Sequence, residues 1–128
     1  MSIRIIFLAL LLMAQGAARA DGKAIFARNC AACHQATGKG IPGAFPALAG
    51  NSFVQGESSQ VAAVLLKGRG GMPDFSPALS DADIAEVLSF VRSAWGNQAG
   101  PLDAQEVAAL RESLKVPAFA AGQMSNKH

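Results

Sequence analysis

Three residues that lie close together in the sequence combine two thiols with an imidazole: Cys30, Cys33 and His34. The two cysteines are three positions apart, so on a helical turn both thiols face the same way. Each thiol can add to one vinyl group of a porphyrin and form a thioether, and the imidazole that follows can bind the iron as the proximal ligand. The Cys-x-x-Cys-His pattern therefore predicts one covalently attached haem c.

Other uses of two cysteines and a histidine fit the sequence less well. A thioredoxin-like redox site requires a βαβ setting, and the sequence shows no convincing strand alternation. A structural zinc site requires four ligands, but the chain offers two cysteines and only one other histidine, His128. A plain structural disulfide would leave His34 without a role.

A second axial ligand is predicted at Met72. This methionine follows Gly70-Gly71, and the two glycines let the backbone approach a flat ligand closely. It precedes Pro73, which restricts the backbone that follows it. Core filling is the usual role of methionine, and Met124 lies in a polar tail that suits a ligand poorly. A thioether favours Fe(II), and two filled axial positions disfavour oxygen and peroxide chemistry, so the pair of ligands indicates electron transfer rather than enzymatic catalysis.

The elements that must position these residues are helical. The sequence predicts an all-α fold of four helical segments joined by loops rich in glycine and proline. Asp21 is a good N-cap, Ser80 and Asp83 resemble a capping box, and Gly96 is a natural C′ residue. The predicted segments are 22–33, 58–67, 81–95 and 103–115, followed by a loose tail.

Residues 1–20 predict a cleaved secretory signal peptide, with a basic start, an apolar run and Ala18-x-Ala20 at the end. The alternative is an uncleaved anchor, but the apolar run is shorter than the roughly 20 residues that span a bilayer core. We therefore expect no stable membrane insertion after cleavage. The remaining chain has 9 basic and 9 acidic residues, because Arg4 and Arg19 are removed with the signal peptide. The basic pI of the whole chain is thus no evidence for a nucleic-acid partner, and none is expected.

In this order the motifs resemble a class I c-type cytochrome of the bacterial periplasmic kind, over residues 21–96. Besides the Cys-x-x-Cys-His turn, the resemblance rests on Gly22, Phe26, Gly40, Phe45-Pro46-Ala47-Leu48 and Gly71-Met72-Pro73. It implies a cytochrome c fold in which helices and loops wrap around one haem and the last helix crosses the first at Gly22, with Phe90 packed there. It also implies that the Pro46 carbonyl accepts a hydrogen bond from His34 Nδ1, and that Leu48 packs on the haem.

The resemblance further implies a monohaem carrier, not an enzyme, that shuttles single electrons in the periplasm. Its partners would be redox proteins: a periplasmic dehydrogenase as donor, and an oxidase or another cytochrome as acceptor. The alternatives are a cytochrome subunit of a periplasmic dehydrogenase complex, or a haem sensor or enzyme whose methionine ligand is labile. Lys39, Asn51 and Arg69 are possible partners of the haem propionates.

Residues 97–128 depart from the short family pattern. We expect a C-terminal extension that contains the predicted helix 103–115 and the tail. This extension could pack on the cytochrome domain, dock a partner, or stay solvated.

Overall fold

The computed structural model describes residues 21–120, which form five helices joined by long loops. The helices are α1 (Gly22–Asn29), α2 (Ala31–His34), α3 (Ser58–Lys67), α4 (Asp81–Ser93) and α5 (Ala104–Leu114). Within this range the only β-pairing is two isolated bridges, Ile41 with Phe45 and Arg69 with Met72. The predicted all-α class is confirmed. None of the described helices is long and apolar enough to cross a membrane. The predicted signal peptide and the tail with Met124 lie outside the described residues.

The first predicted helix, 22–33, is in fact two helices that meet at Cys30. Asp21 caps α1 as expected, since its carboxylate accepts a hydrogen bond from the Lys23 N–H at 3.1 Å. At the other end the Asn29 side chain donates to the Ile25 carbonyl at 2.9 Å, and Cys30 departs from helical geometry with φ −125°. Asparagine competes in this way with the backbone for hydrogen bonds, which explains why the helix breaks there.

Helix α4 begins where the sequence predicts and ends two residues early. The Ser80 hydroxyl accepts from the Asp83 N–H at 3.1 Å, and the Asp83 carboxylate accepts from the Ser80 N–H at 3.2 Å, so the capping box is present. The left-handed turn after the helix begins at Trp95, with φ +54°, and not at Gly96. The Trp95 indole donates to the Ala36 carbonyl at 3.1 Å, and this bond ties the end of α4 to the loop that follows α2.

Helices α1 and α4 cross in direct backbone contact at Gly22. A Cβ atom on this residue would lie 2.2 Å from the Glu86 carbonyl oxygen and 2.8 Å from the Phe90 Cβ. Beside the crossing, the Phe26 ring packs against Phe90 and Trp95, with ring centroids 5.7 and 5.1 Å apart. The structure thus confirms the crossing at Gly22 and the place of Phe90 in it.

The segment after Gly96 packs on the rest of the fold, one of the three arrangements that the sequence left open. Helix α5 contacts both α3 and α4. It begins at its N-cap Asp103, whose carboxylate accepts from the Glu106 N–H at 2.9 Å. Val107 is fully buried, and Leu102 belongs to the same hydrophobic core as the helices before it. Residues up to Leu114 therefore contribute to the core.

We predict that Gly22→Ala lowers the free energy of unfolding by about 1–3 kcal/mol, because the added methyl meets backbone atoms that cannot move independently. Gly100→Ala is the control, since a Cβ at Gly100 meets nothing within 4 Å and the residue has no left-handed backbone. Urea unfolding of the three proteins measures the difference. Equal stability of both variants would contradict the close crossing.

Candidate functional site

The Cys-x-x-Cys-His turn straddles the break between α1 and α2. The His34 N–H donates to the Cys30 carbonyl at 2.9 Å, and the Cys33 N–H donates to the same oxygen at 3.2 Å. These bonds wind the turn tightly although Cys30 itself is not helical. Cys30 is partly buried against the core, Cys33 is exposed, and neither forms a disulfide. The His34 side chain is buried.

A single hydrogen bond fixes the His34 ring. Its Nδ1 lies 2.9 Å from the carbonyl oxygen of Pro46. A carbonyl oxygen only accepts hydrogen bonds, so the proton must sit on Nδ1. In the neutral ring the lone pair is then on Nε2, which is the form a metal-binding histidine needs. The structure thus brings together the two residues that the resemblance pairs.

The Pro46 carbonyl owes its position to Gly40. Gly40 has φ +62°, and a Cβ on it would lie 2.4 Å from the Phe45 oxygen and 2.6 Å from the Pro46 oxygen. Its N–H donates to the His34 carbonyl at 2.9 Å. Between Gly40 and Pro46 the chain makes a short turn, closed by the paired bonds of Ile41 and Phe45. Only glycine combines this backbone conformation with so close an approach.

Leu48 is half-buried against the core, and its backbone is held from both sides. The Leu48 N–H donates to the Gly38 carbonyl at 2.7 Å. The buried Asn97 donates to the Leu48 carbonyl at 3.0 Å and accepts from the Gly50 N–H at 2.8 Å. Asn97 was missed by the sequence analysis. Its position directly after Gly96 marks a helix end, but nothing in the sequence distinguishes it from a solvated asparagine.

Met72 closes a tight turn between α3 and α4 whose tip is Gly70-Gly71. The Met72 and Arg69 backbones exchange hydrogen bonds at 3.0 and 3.1 Å, and Gly70 within the turn has φ +56°. The Phe75 N–H then donates to the Leu65 carbonyl at 2.7 Å, which ties the outgoing chain to α3. The Met72 side chain is partly buried and packs against the same core as Cys30 and Leu48.

Large apolar side chains are exposed on both flanks of this region. Ile41, Phe45 and Phe53 are 41%, 40% and 37% exposed. The first two belong to the turn that ends at Pro46, and the Phe53 ring lies under the Arg69 guanidinium at 5.2 Å, beside the Met72 turn. A cavity of about 340 Å³ opens here, lined by Lys39 and by the residues from Pro42 to Ala47. Exposed apolar side chains around a cavity are typical of a surface that an apolar ligand covers.

Comparison with known proteins agrees with these features. The family model for the cbb3-type cytochrome c oxidase subunit III matches residues 17–91. Cytochrome c-552 of Thermus thermophilus is 36% identical over 84% of this chain and 86% of its own length. The chain belongs to the class I c-type cytochromes. It therefore binds one covalent haem c and acts in electron transfer.

Two other relatives show the range of settings in which such domains occur. The cytochrome c subunit of a quinone alcohol dehydrogenase from Gluconacetobacter polyoxogenes is 34% identical to this chain. The match covers 75% of this chain but only 23% of the longer dehydrogenase subunit. Cytochrome c6 of a Synechocystis species is 38% identical over 56% of the cytochrome and 62% of its own length.

The residues present fit a covalent haem. Two free thiols flank one turn, the His34 tautomer leaves Nε2 for a metal, and the exposed apolar side chains of Ile41, Phe45 and Phe53 offer a surface for a porphyrin. A porphyrin on this surface would remove apolar area from water, which is favourable.

The thiol chemistry of the cytochrome differs from that of a disulfide oxidoreductase. Burial, and after it the charge interaction with the neighbouring Cys33, raises the pKa of Cys30 to about 11. Cys30 is therefore a neutral thiol near pH 7. Redox-active Cys-x-x-Cys sites require a lowered pKa, because the thiolate is the attacking form. This favours attachment chemistry over thiol–disulfide exchange.

The three residues considered as partners of the haem propionates differ in how they are engaged. Asn51 uses its side chain to hold its own loop, since it donates to the Ala47 carbonyl and accepts from the Phe53 N–H, both at 2.9 Å. Arg69 stacks on Phe53. Lys39 lines the cavity beside Pro46 and is exposed.

We predict that Gly40→Ala destabilises the cytochrome by about 1–3 kcal/mol more than Gly43→Ala does. Both glycines have positive φ, so both variants carry the same left-handed strain of about 1–2 kcal/mol. Only the Gly40 variant pushes a methyl against the Pro46 carbonyl, whereas a Cβ on Gly43 meets nothing within 4 Å. Thermal unfolding measures both. Equal losses would show that Gly40 is needed for its backbone angles alone.

Proposed function

We propose that this cytochrome is a monohaem carrier with His/Met ligation that shuttles single electrons between redox proteins of the periplasm. The observation that carries the proposal is the 2.9 Å hydrogen bond from His34 Nδ1 to Pro46, because it prepares Nε2 as an iron ligand. When bound, the haem supplies a one-electron Fe(III)/Fe(II) couple.

Each residue of the site has a distinct part in this proposal. Cys30 and Cys33 would hold the porphyrin through thioethers, and His34 would bind the iron. Met72, which closes the turn that contains Gly70 and Gly71, would be the second protein ligand of the iron. Pro46 orients the imidazole, and Leu48 would pack against the porphyrin. Two protein ligands would leave the iron no open site for a substrate, so the cytochrome would carry electrons without catalysing a reaction of its own.

We infer a periplasmic location from residues 1–20, which have the layout of a cleaved leader and lie outside the described part of the structure. Covalent haem attachment outside the cytoplasm is consistent with this location. Intact-mass measurement of the exported protein tests it directly, and the expected first residue is Asp21. A mature chain that still begins at Met1 would favour an N-terminal anchor.

A second candidate function is that of a cytochrome subunit within a periplasmic dehydrogenase complex. The observation that favours it is the match to part of the cytochrome c subunits of quinone alcohol dehydrogenases. A dehydrogenase would then be a permanent neighbour instead of a transient donor, with an oxidase or another cytochrome as acceptor in either case. Co-purification from the native source separates the two functions: a stable dehydrogenase complex favours the subunit, and a free monomer favours the carrier.

The first experiment tests covalent attachment. Protein matured together with a haem-attachment system should give the pyridine haemochrome spectrum of a haem held by two thioethers. Cys30→Ala, Cys33→Ala and His34→Ala should each reduce the yield of haem protein. Full haem loading of the double cysteine variant would contradict attachment at these residues.

The second experiment tests the axial ligand. Met72→Ala should keep its haem, because both thioethers remain, but lower the reduction potential by roughly 0.1–0.3 V, within the ~0.8 V range over which axial ligands set haem potentials. It should also remove the weak long-wavelength absorption band of a thioether-ligated ferric haem. Met124→Ala is the matched control and should change neither property. An unchanged potential in Met72→Ala, or ready binding of carbon monoxide by the reduced wild-type protein, would favour the sensor or enzyme alternative.

A further inference from the structure

Arg111 on α5 is a buried arginine, 8% exposed, that uses all three guanidinium nitrogens. Nε donates to the Asp81 carboxylate at 2.7 Å, and Nη2 donates to the Leu79 carbonyl at 2.9 Å. Nη1 donates to the Ser76 carbonyl and, at 2.9 Å, to the Pro117 carbonyl. One side chain thus serves four acceptors, a pattern that the planar guanidinium can provide and a lysine cannot.

Three of these acceptors lie on the chain that leads out of the Met72 turn. Ser76 is four residues after Met72, Leu79 is seven residues after it, and Asp81 is the first residue of α4. Arg111 therefore fastens the outgoing arm of the turn to α5. The turn is also tied elsewhere: on its incoming side Arg69 stacks on Phe53, and on its outgoing side the Phe75 N–H donates to the Leu65 carbonyl of α3.

The turn itself depends on such ties, because its own residues make few contacts. Arg69, Gly70 and Gly71 are exposed, as are Pro73 and Asp74, while Met72 is only partly buried. Without Arg111 the carbonyls of Ser76 and Leu79 would lose a charged donor in a buried place, and a buried carbonyl without a donor is unfavourable. The outgoing arm would rearrange to reach water, and Met72 would move with it.

We propose that Arg111 is a positioning residue for Met72: it acts from α5, through the carbonyls of Ser76 and Leu79, to hold the thioether where it can bind the iron. This proposal rests on the proposed ligation by Met72. Since α5 lies beyond the residues 17–91 that the family model matches, the positioning residue Arg111 belongs to the C-terminal extension of this chain. The extension thereby contributes to the redox site without touching the haem.

Arg92 provides a matched control. It is equally buried, at 6% exposed, and it also donates to backbone carbonyls, those of Val54, Gly56 and Gly100 at 2.8 to 2.9 Å. None of these acceptors lies on the Met72 turn. Loss of Arg92 should therefore cost stability to a similar degree and leave Met72 in place.

The experiment compares Arg111→Lys with Arg92→Lys in the haem-loaded protein. For each variant we would measure thermal unfolding, the long-wavelength band of the ferric protein, and the affinity for imidazole, which binds the iron only after the methionine leaves. Arg111→Lys should weaken the band and bind imidazole at least about fivefold more tightly than wild type, the lower end of typical coupling between linked sites. Arg92→Lys should lower the melting temperature without changing either ligand measurement.

Imidazole affinities that are unchanged in Arg111→Lys, or raised equally in both arginine variants, would overturn the proposal and leave Arg111 with a purely structural role. If Arg111→Lys yields no haem protein, Asp81→Asn tests the same link, because it weakens one of the bonds that hold the guanidinium. We then expect a smaller change in the same direction, and an unchanged affinity would again overturn the proposal. The wild-type band is the reference: its absence would refute ligation by Met72 itself, whereas its presence with unaffected variants would refute only the role of Arg111.

Discussion

The hydrogen bond between His34 Nδ1 and the Pro46 carbonyl is the constraint on which the site depends. It selects the tautomer that leaves Nε2 for a metal, and it joins the Cys-x-x-Cys-His turn to a loop twelve residues away. The loop can offer that carbonyl only because Gly40 allows a left-handed backbone in contact with Pro46. A backbone acceptor also makes the arrangement robust, since no single side-chain substitution at Pro46 removes the oxygen.

The rest of the fold stabilises two loops that lack regular structure. One loop carries Pro46 and Leu48 and is held by Asn97, and the other carries Met72 and is held through Arg111. Both of these polar residues lie after α4, are buried, and donate to backbone carbonyls of the loops that they hold. Loops of this kind need buried donors, because a buried carbonyl without a partner is costly.

Membership in the c-type cytochromes places these features in a chemical context. An electron carrier needs a metal centre whose ligands move little between oxidation states, and under the proposed ligation the fixed loops that carry Pro46 and Met72 would provide that. In this chain the loops are fixed partly by the segment after Gly96, which packs on α3 and α4 as part of the core. The C-terminal segment thus links the stability of the domain to the geometry of the proposed ligands.

The cofactor, the helical class and most helix boundaries follow from the sequence alone, because these depend on neighbours in the chain: thiols three apart, a capping box at Ser80, and glycines before Met72. One local feature of the first helix was nevertheless missed. The Asn29 side chain bonds to the Ile25 carbonyl, and the helix is interrupted at the next residue, Cys30. The burial of Asn97 and Arg111, and the loops that they hold, become visible only in the folded chain. The acceptors through which they hold the two loops, Leu48 for Asn97 and Ser76 and Leu79 for Arg111, are backbone carbonyls 32 to 49 residues away. Carbonyls are present at every position, so no side-chain pattern encodes such pairs.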